Sequence, residues 1–151
     1  MDSKVVLLVE DNADDGRLTL RALRKNNIMN EVVVACDGEE ALDYLFGRGR
    51  HADRERASMP AVVLLDLKLP GMTGIEVLRE IRANPETKLL PVVVLTSSDD
   101  PELAALCFEH GANSFVRKPV DAQEFSETIL QIGLYWLLLN QTATNGAGVV
   151  V

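Results

Sequence analysis

The strongest constraint on the fold is a series of short, almost unbroken apolar runs. They are Val5-Val6-Leu7-Leu8-Val9, Val32-Val33-Val34-Ala35 within the segment Glu31 to Cys36, Ala61-Val62-Val63-Leu64-Leu65 and Pro91-Val92-Val93-Val94-Leu95. None alternates between apolar and polar, so each predicts a strand covered on both faces. Ser114-Phe115-Val116 predicts a shorter fifth strand. The intervening segments carry helical periodicity. Asn12 or Asp14 can cap a helix bearing Leu18, Leu20, Ala22 and Leu23, ending near Asn26-Asn27. Asp37-Gly38-Glu39-Glu40 opens a second with Ala41, Leu42, Leu45 and Phe46 apolar. A third runs from Gly74 to Ala83 and stops at Asn84-Pro85. Asp99 or Asp100 caps a fourth with Pro101 at its first position, and Asp121 caps a long fifth reaching about Asn140. Strands alternating with helices predict an α/β domain, a parallel sheet wound on both faces, because parallel neighbours need crossover connections.

Length and composition agree with one domain. The chain has 151 residues, 47% hydrophobic and 25% charged, enough to bury a core without disulfides or structural metal. A formal charge of -8 argues against nucleic acid as the partner. Cys36 and Cys107 lie far apart among apolar neighbours and are expected to be buried thiols. Met1-Asp2-Ser3-Lys4 leads straight into the first strand, and no apolar run approaches membrane-spanning length. The expected location is cytoplasmic, away from membranes.

In a doubly wound sheet, ligands bind at the carboxyl ends of the strands. Those ends carry Glu10 and Asp11, then Asp66, Thr96 and Lys118. Three carboxylates, a hydroxyl and an amine thus converge on one edge. Carboxylates crowded together need a cation, and an all-oxygen set favours Mg²⁺. With a lysine and a hydroxyl opposite, the set suits phosphoryl transfer, Asp66 attacking in line as the nucleophile.

The stretches Leu8-Val9-Glu10-Asp11-Asn12, Leu64 to Gly74, Leu95-Thr96-Ser97 and Phe115-Val116-Arg117-Lys118-Pro119 resemble the receiver domains of bacterial response regulators. The resemblance implies a flavodoxin-like five-stranded sheet of order 2-1-3-4-5 with five helices, a receiver over 1–140 and a tail over 141–151. It makes Asp66 the phosphoacceptor, Asp11 a direct Mg²⁺ ligand, Glu10 a ligand through water, and the Lys68 backbone carbonyl a further ligand. Thr96 would hydrogen-bond the phosphoryl group, Lys118 would pair with it, and Phe115 would turn inward as Thr96 moves. The Lys118–Pro119 bond is expected to be cis. By the same resemblance, Lys68 and Ser98 occupy the positions that tune dephosphorylation, and neither readily orients a water, so a phosphoryl group that is not especially short-lived is expected.

After the last helix about ten residues remain, too few for an output module, so signalling is expected to use the receiver's own surface. Phe125, Ile129, Ile132, Trp136 and Leu139 form one apolar stripe on that helix; Leu130, Leu134, Leu137 and Leu138, with Tyr135 nearby, form a second. A surface helix needs one, so the second predicts a homodimer face. The loop Gly47 to Ser58, with Arg48, Arg50, Arg54, Arg56, Asp53, Glu55 and His51, reads as a solvated mixed-charge connection. An alternative is a docking element for an acidic partner. His51 and His110 have no second ligand at metal spacing. The Asp14-Asp15 doublet, this loop and Tyr135-Trp136 resemble single-domain regulators paired with phytochrome-type histidine kinases. Two other classes compete less well. An aspartyl-phosphate hydrolase of the haloacid dehalogenase type wants an acid where Lys68 stands. A never-phosphorylated receiver-like binding module would usually lack one of the pocket residues. No turnover enzyme is expected.

Overall fold

The computed structural model describes residues 5–25, 27–54 and 59–139, with Leu138 and Leu139 described by their backbone alone. Expectations for Asn26, Glu55, Arg56, the tail 141–151 and the Leu138 and Leu139 side chains lie outside the described residues. The chain runs β1 (Val6–Val9), α1 (Ala13–Lys25), β2 (Val32–Ala35), α2 (Gly38–Phe46), β3 (Val62–Asp66), α3 (Gly74–Ala83), β4 (Val92–Thr96), α4 (Pro101–Glu109), β5 (Ser114–Arg117) and α5 (Ala122–Gly133). A 3₁₀ turn, Gly49–His51, follows α2, and α5 continues as a π-helical segment, Leu134–Leu139. The five strands are parallel in the order β2-β1-β3-β4-β5.

Because side chains alternate across a strand, the continuous apolar runs feed two cores at once. Leu7, Val9, Val63, Leu65, Val92 and Val94 face Ala41, Leu45, Val77, Leu78 and Ile81 of α2 and α3. Val6, Leu8, Val62, Leu64, Val93 and Leu95 face Ala22 and Leu23 of α1 and Phe125, Ile129 and Ile132 of α5. Caps set where the helices begin. The Asn12 carboxamide accepts the Asp14 and Asp15 amides, and Asp37, Asp100 and Asp121 cap α2, α4 and α5. Thr73 and Glu76 form a reciprocal capping box that starts α3 at Gly74. No helix among the described residues is long and apolar enough to cross a membrane.

Four expectations need correction. Leu137 is not on an exposed stripe but is 2% exposed in the core beside Trp136. The π turn holds an extra residue per turn, and this shifts the face that the end of the helix presents. Leu130 is half-buried against the same core, leaving Leu134 and Tyr135 outward, 38% and 49% exposed. Cys36 is exposed, because it follows the end of an edge strand; Cys107 is buried as expected. No described peptide bond is cis, so Lys118–Pro119 is trans, the form X-Pro bonds ordinarily favour.

The fourth concerns the loop after α2, which is less solvated than its composition suggests. Arg54 lies over the Tyr44 ring and donates to the Tyr44 and Leu45 carbonyls at the end of α2. His51 meets the Tyr44 ring edge-on and places Nε2 3.6 Å from the Glu40 carboxylate. A guanidinium on terminal helix carbonyls combines hydrogen bonding with the helix dipole. Arg54→Ala is therefore expected to lower the unfolding free energy by about 1–2 kcal/mol, measurable by urea denaturation.

Candidate functional site

The order of the sheet reverses between β1 and β3, and the site forms at the carboxyl ends of these two strands and of β4 and β5. Glu10 and Asp11 follow β1, Asp66 ends β3, Thr96 ends β4 and Lys118 follows β5. The structure brings the side chains of Glu10, Asp11, Asp66 and Lys118 together, with Thr96 at the neighbouring strand end. Lys118 Nζ lies 2.6 Å from Glu10 Oε1 and 3.0 Å from Asp66 Oδ2. The Lys118 amide donates to the Thr96 carbonyl at 2.7 Å, locking the amine's strand to the strand of the hydroxyl.

The remaining oxygens are held by backbone. Asp66 Oδ1 accepts the Lys68 amide at 3.0 Å, Glu10 Oε2 the Asn12 amide at 3.2 Å, and Thr96 Oγ1 the Ser98 amide at 3.3 Å. Gly74 lets α3 begin close under this loop: a Cβ there would lie 2.7 Å from the Asp66 carbonyl oxygen and 2.6 Å from Leu67 Cα. Lys68 is itself exposed, and Phe115 is half-buried on β5 against the core of the α2 and α3 face.

Among the described residues Glu10, Asp11 and Asp66 bring carboxylate oxygens within 4.8 Å of one another. Glu10 and Asp66 are buried, so their charges are poorly screened. Burial, with the neighbouring Asp66 adding to it, pushes the Glu10 carboxyl up from 4.5 to about 7. Burial alone would lower the Lys118 ammonium, but Glu10 and Asp66 outweigh it and hold Lys118 above its ordinary value. One ammonium does not neutralise the cluster, and its all-oxygen donors fit a hard divalent cation.

Asp15, conspicuous in the sequence only as half of a doublet, also reaches the site. Its Oδ2 lies 3.1 Å from Lys118 Nζ, whereas Asp14 turns outward to Arg17. The signal available in the sequence is its place in the first turn of α1, just after Asp11. Nothing local reveals that it meets a lysine so distant in the chain.

A family model described as the response regulator receiver domain matches residues 6–130. Response regulator Rcp1 of Synechocystis sp. is 36% identical over 134 residues, covering 89% of each chain. The Mn(2+)-bound form of Rcp1 superposes with a TM-score of 0.84 at 34% identity, over 92% of this chain and 98% of that one. The phosphorylated cyanobacterial phytochrome response regulator RcpA gives a TM-score of 0.85 at 35% identity, over 92% and 97%. The bacteriophytochrome response regulator AtBRR is 46% identical with a TM-score of 0.73, over 93% and 100%. A match across most of the chain, on a sheet whose strand ends gather these carboxylates around one lysine, leaves a single assignment: the chain belongs to the response regulator receiver domain family.

Proposed function

We propose that this receiver takes a phosphoryl group from a histidine kinase onto Asp66. The observation that carries the reading is the convergence of Glu10, Asp11 and Asp66 beneath the Lys118 ammonium at the strand ends. In the transfer the P–N bond of a phosphohistidine breaks, a P–O bond forms to an Asp66 oxygen, and the imidazole departs. Asp11, Asp66 and the Lys68 carbonyl would hold Mg²⁺ directly, and Glu10 through water. Bound there, the ion supplies positive charge to the phosphoryl oxygens. Lys118 pairs with a phosphoryl oxygen, and Thr96 donates its hydroxyl to another. Phe115, half-buried on β5, is the side chain that responds when Thr96 moves.

The kinase is of phytochrome type, a reading supported by the names of RcpA and AtBRR, and the Mn(2+)-bound form of Rcp1 supports a divalent ion. The receiver occupies residues 1–140, works in the cytoplasm, and leaves 141–151 as a tail. Two copies associate through the end of α5, where Leu134 and Tyr135 stand exposed. Tyr135→Asp is expected to shift the protein to monomer by light scattering; an unchanged mass would remove that face from consideration.

Incubation with a small acyl phosphate and Mg²⁺ is expected to add one phosphoryl group to the wild type by intact mass and none to Asp66→Asn. Equal uptake by both proteins would move the acceptor elsewhere. Because Lys68 and Ser98 are poor at orienting water, the phosphoryl group is expected not to be especially short-lived after donor removal, followed by the same mass measurement; hydrolysis as fast as in chemotaxis-type receivers would refute this.

A further inference from the structure

Lys118 has three N–H donors, and three different carboxylates accept them: Glu10, Asp66 and Asp15. We propose that Asp15 is a positioning residue, which anchors the Lys118 ammonium from the α1 side so that it stays aimed at Asp66 when the pocket is loaded. The inference rests on the proposed roles of Asp66 and Lys118. Its starting point is a division of labour among the acceptors. Glu10 and Asp66 belong to the carboxylate cluster that fits a cation, so both are drawn toward that ion when it binds. Asp66 also loses a free oxygen when it is phosphorylated. Asp15 lies outside the cluster and is subject to neither change.

Its own position is well determined. The Asp15 amide donates to the cap Asn12 at 3.1 Å, and its carbonyl accepts the hydroxyl of buried Thr19 at 2.9 Å. Asn12 in turn donates its amide to Glu10. One short segment thus places two of the three carboxylates that accept from the ammonium. Lysine carries its charge on a flexible four-carbon stem, which two acceptors alone would leave free to swing. A third acceptor turns the contact into a tripod. Asp14 is the internal comparison, since it is adjacent, equally charged and paired with Arg17 instead.

The test uses the full chain as Asp15→Asn, Asp15→Glu and Asp14→Asn, each alone, and Asp15→Asn in a Lys118→Met background. Nitrogen-detected NMR reads hydrogen exchange at Lys118 Nζ, with no phosphorylation needed. Asp15→Asn is expected to accelerate that exchange and to slow phosphoryl uptake from the acyl phosphate about tenfold, the scale of a modest loss of orientation. Asp15→Glu restores both, Asp14→Asn changes neither, and Asp15→Asn adds nothing once Lys118 is methionine. Unchanged exchange in Asp15→Asn overturns the proposal. So does faster uptake, which marks Asp15 as a repelling charge only, or an equal loss in the Lys118→Met background. If the wild type takes up no phosphoryl group, the acceptor assignment fails, while the exchange measurement still decides what Asp15 does.

Discussion

In chelator, the metal-free protein is expected to lose about 3 kcal/mol of stability as pH rises from 4.5 to 7, with the Glu10 carboxyl driving the loss. The Glu10 carboxyl sits at about 7 in the fold against 4.5 when free. Between those values the folded chain keeps a proton that the unfolded chain has released. Folding therefore binds a proton, and stability falls with each step up in pH until the folded group has also ionised. Because Glu10 is only 5% exposed, solvent does little to soften the effect. Denaturant midpoints across this range should show the slope in the wild type and a flatter curve in Glu10→Gln. Equal slopes would mean that another group titrates.

The same linkage ties the pocket to its cation. An ion that needs Glu10 ionised must displace that proton, so Mg²⁺ affinity is expected to climb toward pH 7 and level off above it. Lys118 acts in the opposite sense. Its folded value is raised, so its contribution is complete at every pH below its unfolded value and is lost only in strong alkali. Across the working range the lysine is a constant, and the pocket's pH response comes from Glu10.

Much of the fold and the pocket was legible in the chain because the signals are local. The apolar runs marked the strands, and Thr73 with Glu76 set the start of α3 at the residue the periodicity indicated. The pocket residues lie at or just past the carboxyl end of each run, and parallel strands bring those ends to one edge. The features that escaped depend on partners distant in sequence or on a change of helical pitch. Leu137 looked outward because a 3.6-residue period was carried into a segment that winds as a π-helix. Arg54 looked solvated because its neighbours in the chain are polar and charged, yet its planar head finds the last carbonyls of α2. The trans bond before Pro119 shows that Lys118 reaches its carboxylates from the ordinary isomer.

Arg82 was missed for the same reason, and its replacement should have a large effect on stability away from the pocket. From α3 its Nε donates to the Gly111 carbonyl at 2.9 Å, Nη1 to those of Leu90 and Lys88 at 2.7 and 3.1 Å, and Nη2 to Asn113 Oδ1 at 2.9 Å. Asn113 Oδ1 also accepts the Val92 amide at 2.8 Å, so one guanidinium brackets the starts of β4 and β5. Gly111 is adapted to it: φ is +98°, and a Cβ would come within 2.8 Å of Arg82 Nε. Burial lowers the Arg82 pKa, but a guanidinium remains charged throughout the working range. Arg82→Met keeps the apolar stem and strips the donors, leaving several carbonyls unpaired. The expected cost is about 3 kcal/mol, or on the order of 10 °C in Tm for a domain of this size. Arg82→Lys should recover little, because an ammonium has no planar fork to reach three directions at once. Phosphoryl uptake measured well below the lowered Tm should persist, because the strand ends that hold Asp66, Thr96 and Lys118 lie at the opposite edge of the sheet. A Tm within about 2 °C of wild type, less than 1 kcal/mol on the same scale, would show that water replaces these bonds without penalty.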